Sequence, residues 1–205
     1  MINQITNIFS LTIEEENHIS NINNAAKPSE WKRGTVMMNG IRGSITSQLD
    51  SIQNQKCCYC GLQLWETGRG EIEHIAPKAS RQKAYPEFTF TKQNLALSCE
   101  YCNGSSKKGE TDIIFRYNAK YSDCEFKLVH PYFDNPNQHY QWINHETKIM
   151  ISHKTWKGKY SIILFGLKDL ASARAKQRIF EKKVNKKIIV NNLLNRFFSI
   201  INFDR

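Results

Sequence analysis

The sequence has no long hydrophobic run and no leader-like start. Its longest apolar stretch, around residues 161–165, falls far short of the roughly 20 residues that a membrane helix needs. The first residues show no basic segment followed by an apolar one, so no secretory signal is predicted. Hydrophobic residues make up 40% of the chain and charged residues 23%, which argues against a disordered or fibrous protein. We therefore expect a soluble, cytoplasmic, globular protein without membrane association.

Acidic residues are scarce relative to basic ones. The chain has 29 Lys and Arg against 19 Asp and Glu, a formal net charge of +10. Nine of these excess charges fall in residues 111–205. A basic region of this kind favours an anionic partner, most simply nucleic acid. An ordinary solvated surface is the alternative.

Six cysteines stand out, because four of them form two Cys-x-x-Cys pairs separated by 38 residues. In a reducing compartment, two such pairs are more typical of a metal site than of disulfides. Each turn directs two thiolates at one point, and the two turns complete a tetrahedral Zn²⁺ site with Zn–S distances of about 2.3 Å. Four buried thiols without a metal are the alternative. The predicted ligands are Cys57, Cys60, Cys99 and Cys102.

A third cysteine and two glycines lie next to the Cys-x-x-Cys pairs. Cys58 competes with Cys57 as a ligand, although only Cys57 has the x-x spacing to Cys60. Gly61 and Gly104 follow the pairs closely, and we expect them to take the positive φ angles that tight turns often use.

The long gap between the pairs contains two predicted strands. Charged and apolar residues alternate over residues 71–75, as in a half-buried strand, and Pro77 then ends the pattern. Leu95 and Leu97 predict a second short strand that leads into the second Cys pair. The capping residues at 103–106 predict that a helix begins there.

In order, the chain reads Cys-x-x-Cys-Gly, Glu-His-Ile-x-Pro-Lys, Asn-Leu, and Cys-x-x-Cys-Asn followed by lysines. This series resembles the HNH nuclease motif and covers residues 57–108, about a quarter of the chain. The resemblance implies an α+β fold whose ββα-metal HNH core is stapled by the four-cysteine zinc site. It also implies a metal-dependent endonuclease that hydrolyses phosphodiester bonds in DNA. Relatives of this family also act on RNA and on single strands, and these alternatives stay open.

The resemblance implies a role for each matching position. His74 takes the place of the general base that activates water, and Glu73 takes the place of the acidic metal ligand. Asn94 is the middle residue that holds the loop orienting the base, and Asn103 replaces the final histidine as a metal ligand. Two oxygen donors favour Mg²⁺ or Mn²⁺ as the catalytic cation. The expected nucleic-acid contacts are Lys78, Lys107 and Lys108.

The flanks of the motif are predicted to be helical on one side and mixed on the other. Thr12 to Glu15 fits a capping box that opens a helix towards Ala26, with Pro28 breaking it. A second helix over residues 44–53 leads into the first Cys pair. Towards the C-terminus, strands at 148–152 and 160–165 are expected to form a hairpin. A basic helix, or a pair of helices, is predicted over residues 169–198.

No linker or repeat divides the chain, so a single HNH endonuclease domain is expected over 1–205. It would comprise a helical lead-in (1–56), a zinc-stapled core (57–110), and a hairpin with a basic helical extension (111–205). This layout resembles, more loosely, the HNH nucleases of the Septu type and of some retron-associated anti-phage systems, which act with an ATPase of the ABC or recombination-repair class. The alternative is a catalytically silent, zinc-stapled nucleic-acid-binding or scaffold subunit.

Overall fold

The computed structural model describes residues 1–65 and 69–201. Within them, helices combine with three two-stranded antiparallel sheets, which is the predicted α+β class. The helices are α1 (Ile13–Ser20), α2 (Lys27–Trp31), α3 (Val36–Ile52), α4 (Glu100–Asn103), α5 (Pro136–His139), α6 (Trp156–Leu164) and α7 (Ala171–Ile201). The strands are β1 (Gly70–His74), β2 (Leu95–Cys99), β3 (Ile114–Arg116), β4 (Glu125–Phe126), β5 (Tyr140–Trp142) and β6 (Ile151–His153).

The N-terminal helices begin where capping side chains satisfy their first amides. The predicted capping box is confirmed, because the Glu15 amide donates to Thr12 Oγ1 at 3.2 Å and the Thr12 amide donates to Glu15 Oε2 at 2.8 Å. The helix ends at Ser20, however, well short of Ala26. Pro28 lies in the first turn of α2, where its missing N–H costs no hydrogen bond, so it opens a helix and does not break one.

The helix α3 begins at Val36, earlier than predicted, and is attached to β2. Its residues Ile45 and Leu49, four positions apart on one face of the helix, are buried. The Gln53 side chain follows the helix and both donates to Leu97 O and accepts from Leu97 N, at 2.8 and 2.7 Å. These two bonds fix the approach of the first Cys pair to the sheet.

The strands β1 and β2 pair antiparallel, with Gly70 opposite Cys99 and His74 opposite Leu95. The second strand is buried along its whole length and passes directly into α4. The expectation that a helix begins at 103–106 is wrong, because α4 ends there. Gly104 leaves the helix at φ −60° and ψ 157°, so its expected positive φ is also wrong, whereas Gly61 has φ +70° as predicted.

The predicted hairpin between 148–152 and 160–165 is wrong. The partner of β6 is β5, and residues 156–164 form α6. Thr155 Oγ1 accepts from the Gly158 amide at 3.2 Å and so caps this helix. Its buried residues Gly158, Ser161 and Ile162 recur at helical spacing, and their packing overrides the β-branched local sequence.

The predicted basic C-terminal helix is confirmed as α7, a single helix. Its apolar residues Phe180, Val184 and Ile188 are exposed. The hydrophobic core draws on residues from Ile5 through Leu97 to Leu167, and among the described hydrophobic residues of α7 only Ala173 packs against it, partly buried. Among the described residues, none of the helices combines the length and the apolar character that crossing a bilayer requires.

Candidate nuclease cleft and metal centre

The four predicted cysteines meet at one buried point. Cys57 and Cys60 lie in the turn after α3, whereas Cys99 ends β2 and Cys102 lies in α4. Their sulfur atoms all lie within 4.8 Å of one another. The Cys60 and Cys99 sulfurs are 3.8 Å apart, which matches the edge of about 3.8 Å of a tetrahedron with Zn–S bonds of about 2.3 Å. The cluster is therefore able to bind a metal such as zinc.

Cys58 is not part of this cluster. Its backbone amide donates to Leu97 O at 3.0 Å, and its thiol is buried. Burial, and then the neighbouring Cys57 thiol, raise the pKa of Cys58 well above its usual value, so it stays protonated. The choice between Cys57 and Cys58 therefore falls on Cys57.

His74 ends β1 as a neutral, fixed imidazole. Its Nε2 lies 3.1 Å from Thr89 O, and because a carbonyl only accepts, Nε2 carries the hydrogen. The ring also packs edge-on against Trp31 with centroids 4.6 Å apart. Burial, and then the charges of Lys78 and Lys108, lower the pKa of His74 well below its usual value. Nδ1 of the neutral ring therefore keeps a lone pair that accepts hydrogen bonds.

The Glu73 side chain is held by a buried ammonium. Lys108 Nζ lies 2.7 Å from Glu73 Oε1, and the Lys108 side chain is only 1% exposed. The same ammonium donates to His74 O at 3.0 Å and to Gly109 O at 3.1 Å. The Tyr59 hydroxyl donates to Glu73 Oε1 at 3.2 Å. Burial raises the pKa of Glu73, and the charge of Lys108 opposes this shift.

One cleft brings most of the predicted site residues together. It has a volume of about 280 Å³, and its walls include Glu73, His74, Lys78 and Asn103. Lys78 Nζ lies 3.2 Å from His74 Nδ1, so the Lys78 ammonium donates to the Nδ1 lone pair. Burial lowers the pKa of Lys78 to about 8.

The residues predicted to hold a catalytic cation match a hard ion in donor type. Glu73 offers a carboxylate and Asn103 an amide oxygen, and both line the cleft. In the structure, however, Asn103 Nδ2 donates to Glu71 Oε2 at 2.7 Å, and Glu73 is bound by Lys108. Glu71 was absent from the sequence-based site, although its two-residue spacing from Glu73 places both on one face of β1.

Asn94 lies below the cleft and ties its loops together. The side chain is fully buried, and its Oδ1 accepts from the Ala76 amide at 2.6 Å and from the Tyr121 hydroxyl at 2.9 Å. Its Nδ2 donates to Ala76 O at 3.1 Å and to Phe88 O at 2.9 Å. These bonds connect the segment after His74 to the segment before Thr89, which fixes the imidazole.

A buried histidine supports Asn94 from behind. His130 Nδ1 accepts from the Tyr132 amide at 3.2 Å, so Nε2 carries the hydrogen and donates to the Tyr121 hydroxyl at 3.0 Å. Burial lowers the pKa of His130 well below its usual value, and the ring is therefore neutral. The sequence offers no signal for this relay, because Tyr121 and His130 lie outside the motif.

The three lysines that were predicted to contact nucleic acid lie in three different environments. Lys78 lines the cleft. Lys107 lies over the Tyr101 ring, with Nζ 4.9 Å from its centroid. Lys108 is interior, so its ammonium is not exposed for a phosphate.

Comparison with known proteins finds similarity to Septu proteins. The chain is 30% identical over 127 residues to the Septu protein PtuB of Bacillus thuringiensis, which covers 62% of the chain and 42% of that protein. It is also 30% identical over 150 residues to the Septu protein PtuB of Bacillus mycoides (strain KBAB4), covering 65% of the chain and 50% of that protein. The chain thus spans about half the length of these curated relatives. No protein-family model matches the chain. No solved structure matches it significantly.

Proposed function

We propose that the chain is an HNH endonuclease that hydrolyses phosphodiester bonds in DNA. The observation that carries this proposal is the cleft in which Glu73, His74 and Asn103 meet beside the four-cysteine cluster. The antiparallel pair of strands followed by α4 is consistent with a ββα-metal core. In this proposal residues 1–205 form one domain, with zinc held by the cysteines.

The chemistry of the cleft follows from its own residues. His74 Nδ1 would take a proton from water as the water oxygen attacks phosphorus and the bond to the 3′ oxygen breaks, and the departing 3′ oxygen would take up a proton from solvent. Thr89 O fixes the tautomer that this step needs. Lys78 must first leave Nδ1, and an approaching phosphate attracts its ammonium. When bound by Glu73 and Asn103, Mg²⁺ or Mn²⁺ supplies stabilisation of the charge that develops on the phosphate.

The similarity to PtuB supports a role in bacterial anti-phage defence of the Septu type. In that setting we propose that the chain is the nuclease effector and acts in the cytoplasm with an ATPase partner. The excess positive charge of residues 111–205 suits a nucleic-acid substrate.

Plasmid cleavage tests the proposal. Purified protein, alone and with any ATPase encoded beside it, should nick or linearise plasmid DNA with Mg²⁺ or Mn²⁺. His74→Ala should lower the rate at least about 100-fold, because a general base typically contributes that much. The matched control is His139→Ala, since His139 contacts Asp134 at 3.5 Å and does not line the cleft. Equal cleavage by His74→Ala and His139→Ala would remove His74 from the mechanism.

A second candidate is a catalytically silent, zinc-stapled binding or scaffold subunit. The observation in its favour is that lysine ammoniums contact both Glu73 and His74. It is preferred if neither metal supports cleavage and Glu73→Ala changes no measured property of nucleic-acid or partner binding.

A further inference from the structure

Two aromatic side chains lie exposed and adjacent away from the cleft. Phe115 in β3 is 63% exposed and Trp156 at the start of α6 is 56% exposed, with ring centroids 6.0 Å apart. Adjacent exposed rings are costly in water and mark interaction sites more often than scattered apolar residues do. This pair therefore offers a contact surface that suits a partner with flat apolar faces.

The exposed surface continues along one face of α6. Lys159 follows Trp156 by three residues and Ile163 follows Lys159 by four, so the three lie on the same face. Ile163 is 69% exposed. The opposite face is occupied, because Gly158, Ser161 and Ile162 are buried and Ser161 Oγ accepts from the Val129 amide at 2.8 Å. The outward face has no covering element among the described residues.

At the end of α6 the surface meets the segment that carries Asn103. Gly166 has φ +57°, and a Cβ atom there would lie 2.6 Å from Lys107 Nζ and 2.8 Å from the Tyr101 hydroxyl. Tyr101 precedes Asn103 by two residues in α4. We call the surface formed by Phe115, Trp156, Lys159, Ile163, Lys107 and Tyr101 the α6 track. From Trp156 to Leu164 the helix extends about 12 Å along its axis.

Positive charge accompanies the rings. Lys107 lies over the Tyr101 ring, and Lys159 and Lys168 border a hollow of about 280 Å³ beside Ile163. Lys107, Lys159 and Lys168 form no ion pair in the residues that the structure describes. Asp169 is an acidic neighbour at the end of the hollow.

We propose that the α6 track binds an unpaired nucleic-acid strand. Aromatic faces stack on bases, and unpaired lysines contact the phosphates between them, which is the combination that single-strand binding uses. A duplex keeps its bases stacked on one another and offers no free face to Phe115 and Trp156. The track would deliver a single strand towards the cleft, and this role rests on the proposed nuclease function. The binding of the strand does not depend on the nuclease function.

Fluorescence anisotropy tests the proposal on the full chain in buffer without added Mg²⁺ or Mn²⁺. The probes are labelled oligothymidylate and oligouridylate of about 12 nucleotides, within the usual site size, and a blunt duplex of equal length. Trp156→Ala and Phe115→Ala should each weaken single-strand binding about tenfold and leave duplex binding unchanged. Lys159→Gln should lower the slope of log affinity against log salt by about 0.7. The two single-stranded probes show whether DNA, RNA or both are bound.

The matched control is Trp65→Ala, because Trp65 is 50% exposed but lies outside the track. All variants should keep wild-type zinc content and circular dichroism. Single-strand binding that is absent in the wild type, or equal in Trp156→Ala and Trp65→Ala, would overturn the proposal. An equal loss of duplex binding in Trp156→Ala and Phe115→Ala would also overturn it. Trp156-dependent binding without plasmid cleavage would defeat only the nuclease proposal, and cleavage without such binding would defeat only the track.

Discussion

Replacing Asn94 by alanine should destabilise the protein strongly, because this side chain fills four hydrogen bonds in the interior. It donates to Ala76 O and Phe88 O and accepts from Ala76 N and the Tyr121 hydroxyl. Alanine has none of these groups. The change therefore leaves the Ala76 amide, the Ala76 carbonyl and the Tyr121 hydroxyl hydrogen without their side-chain partner. Phe88 O keeps the Thr91 amide as a donor at 3.1 Å.

The size of the effect follows from the cost of unsatisfied groups. Each buried polar group left without a partner costs about 1–3 kcal/mol, so the two Ala76 backbone groups and the Tyr121 hydroxyl together cost about 3 kcal/mol at the low end. A water molecule that enters the vacated space would recover part of any larger cost. We expect a loss of about 3 kcal/mol in the free energy of unfolding. For a chain of this size that lowers Tm by about 6–12 °C.

Denaturant titration of the zinc-loaded protein, followed by circular dichroism, measures this loss. The control is Asn103→Ala, because Asn103 makes a single side-chain bond, to Glu71, and should cost under about 1 kcal/mol. A loss below about 1 kcal/mol for Asn94→Ala, or equal losses for the two variants, would refute the role given to Asn94.

Three further predictions concern the metal, the buried ion pair and the buried histidine. Metal analysis should find one Zn²⁺ per chain, and Cys102→Ser should lose the zinc and unfold the core. A wild-type protein that is folded and free of zinc would reject the zinc site. Lys108→Met should cost about 3–5 kcal/mol by leaving Glu73 unpaired, and adding Glu73→Gln should recover part of this in denaturant titrations; an effect below about 1 kcal/mol would show that the pair is unimportant. The neutral His130 has a lowered pKa in the folded state, so the unfolded chain binds more protons as pH falls below about 6.5 and stability is lost there. His130→Phe should show a smaller loss between pH 6.5 and 5 than the wild type, and parallel pH profiles would contradict this.

Local sequence predicts the elements around the cysteines well, because their turns and caps are short-range features. The capping box at Thr12, the strand at Leu95–Cys99 and the four-cysteine cluster all depend on spacings within a few residues or on paired turns. The placement of Glu73, His74, Lys78 and Asn103 around one cleft also agrees with the order of their motif.

The remaining features depend on tertiary contacts that the local pattern does not contain. The run at 160–165 is rich in β-formers, but the Thr155 cap and the buried positions of Ser161 and Ile162 stabilise a helix there. In the sequence, the lysines after the second Cys pair look like ordinary exposed residues. The pairing of β1 with β2 brings the Glu73 carboxylate to Lys108 and so buries the Lys108 ammonium. The support of Asn94 by Tyr121 and His130 likewise joins distant segments of the chain.

Chemical rescue of His74→Gly tests most directly whether this imidazole is the base in the cleft. Plasmid cleavage with Mg²⁺ or Mn²⁺ is measured for wild type and variant, with and without added imidazole, at matched zinc content. The variant should be inactive, added imidazole should restore part of its cleavage, and the wild type should be unaffected by imidazole. Wild-type rates in His74→Gly without imidazole would contradict the account.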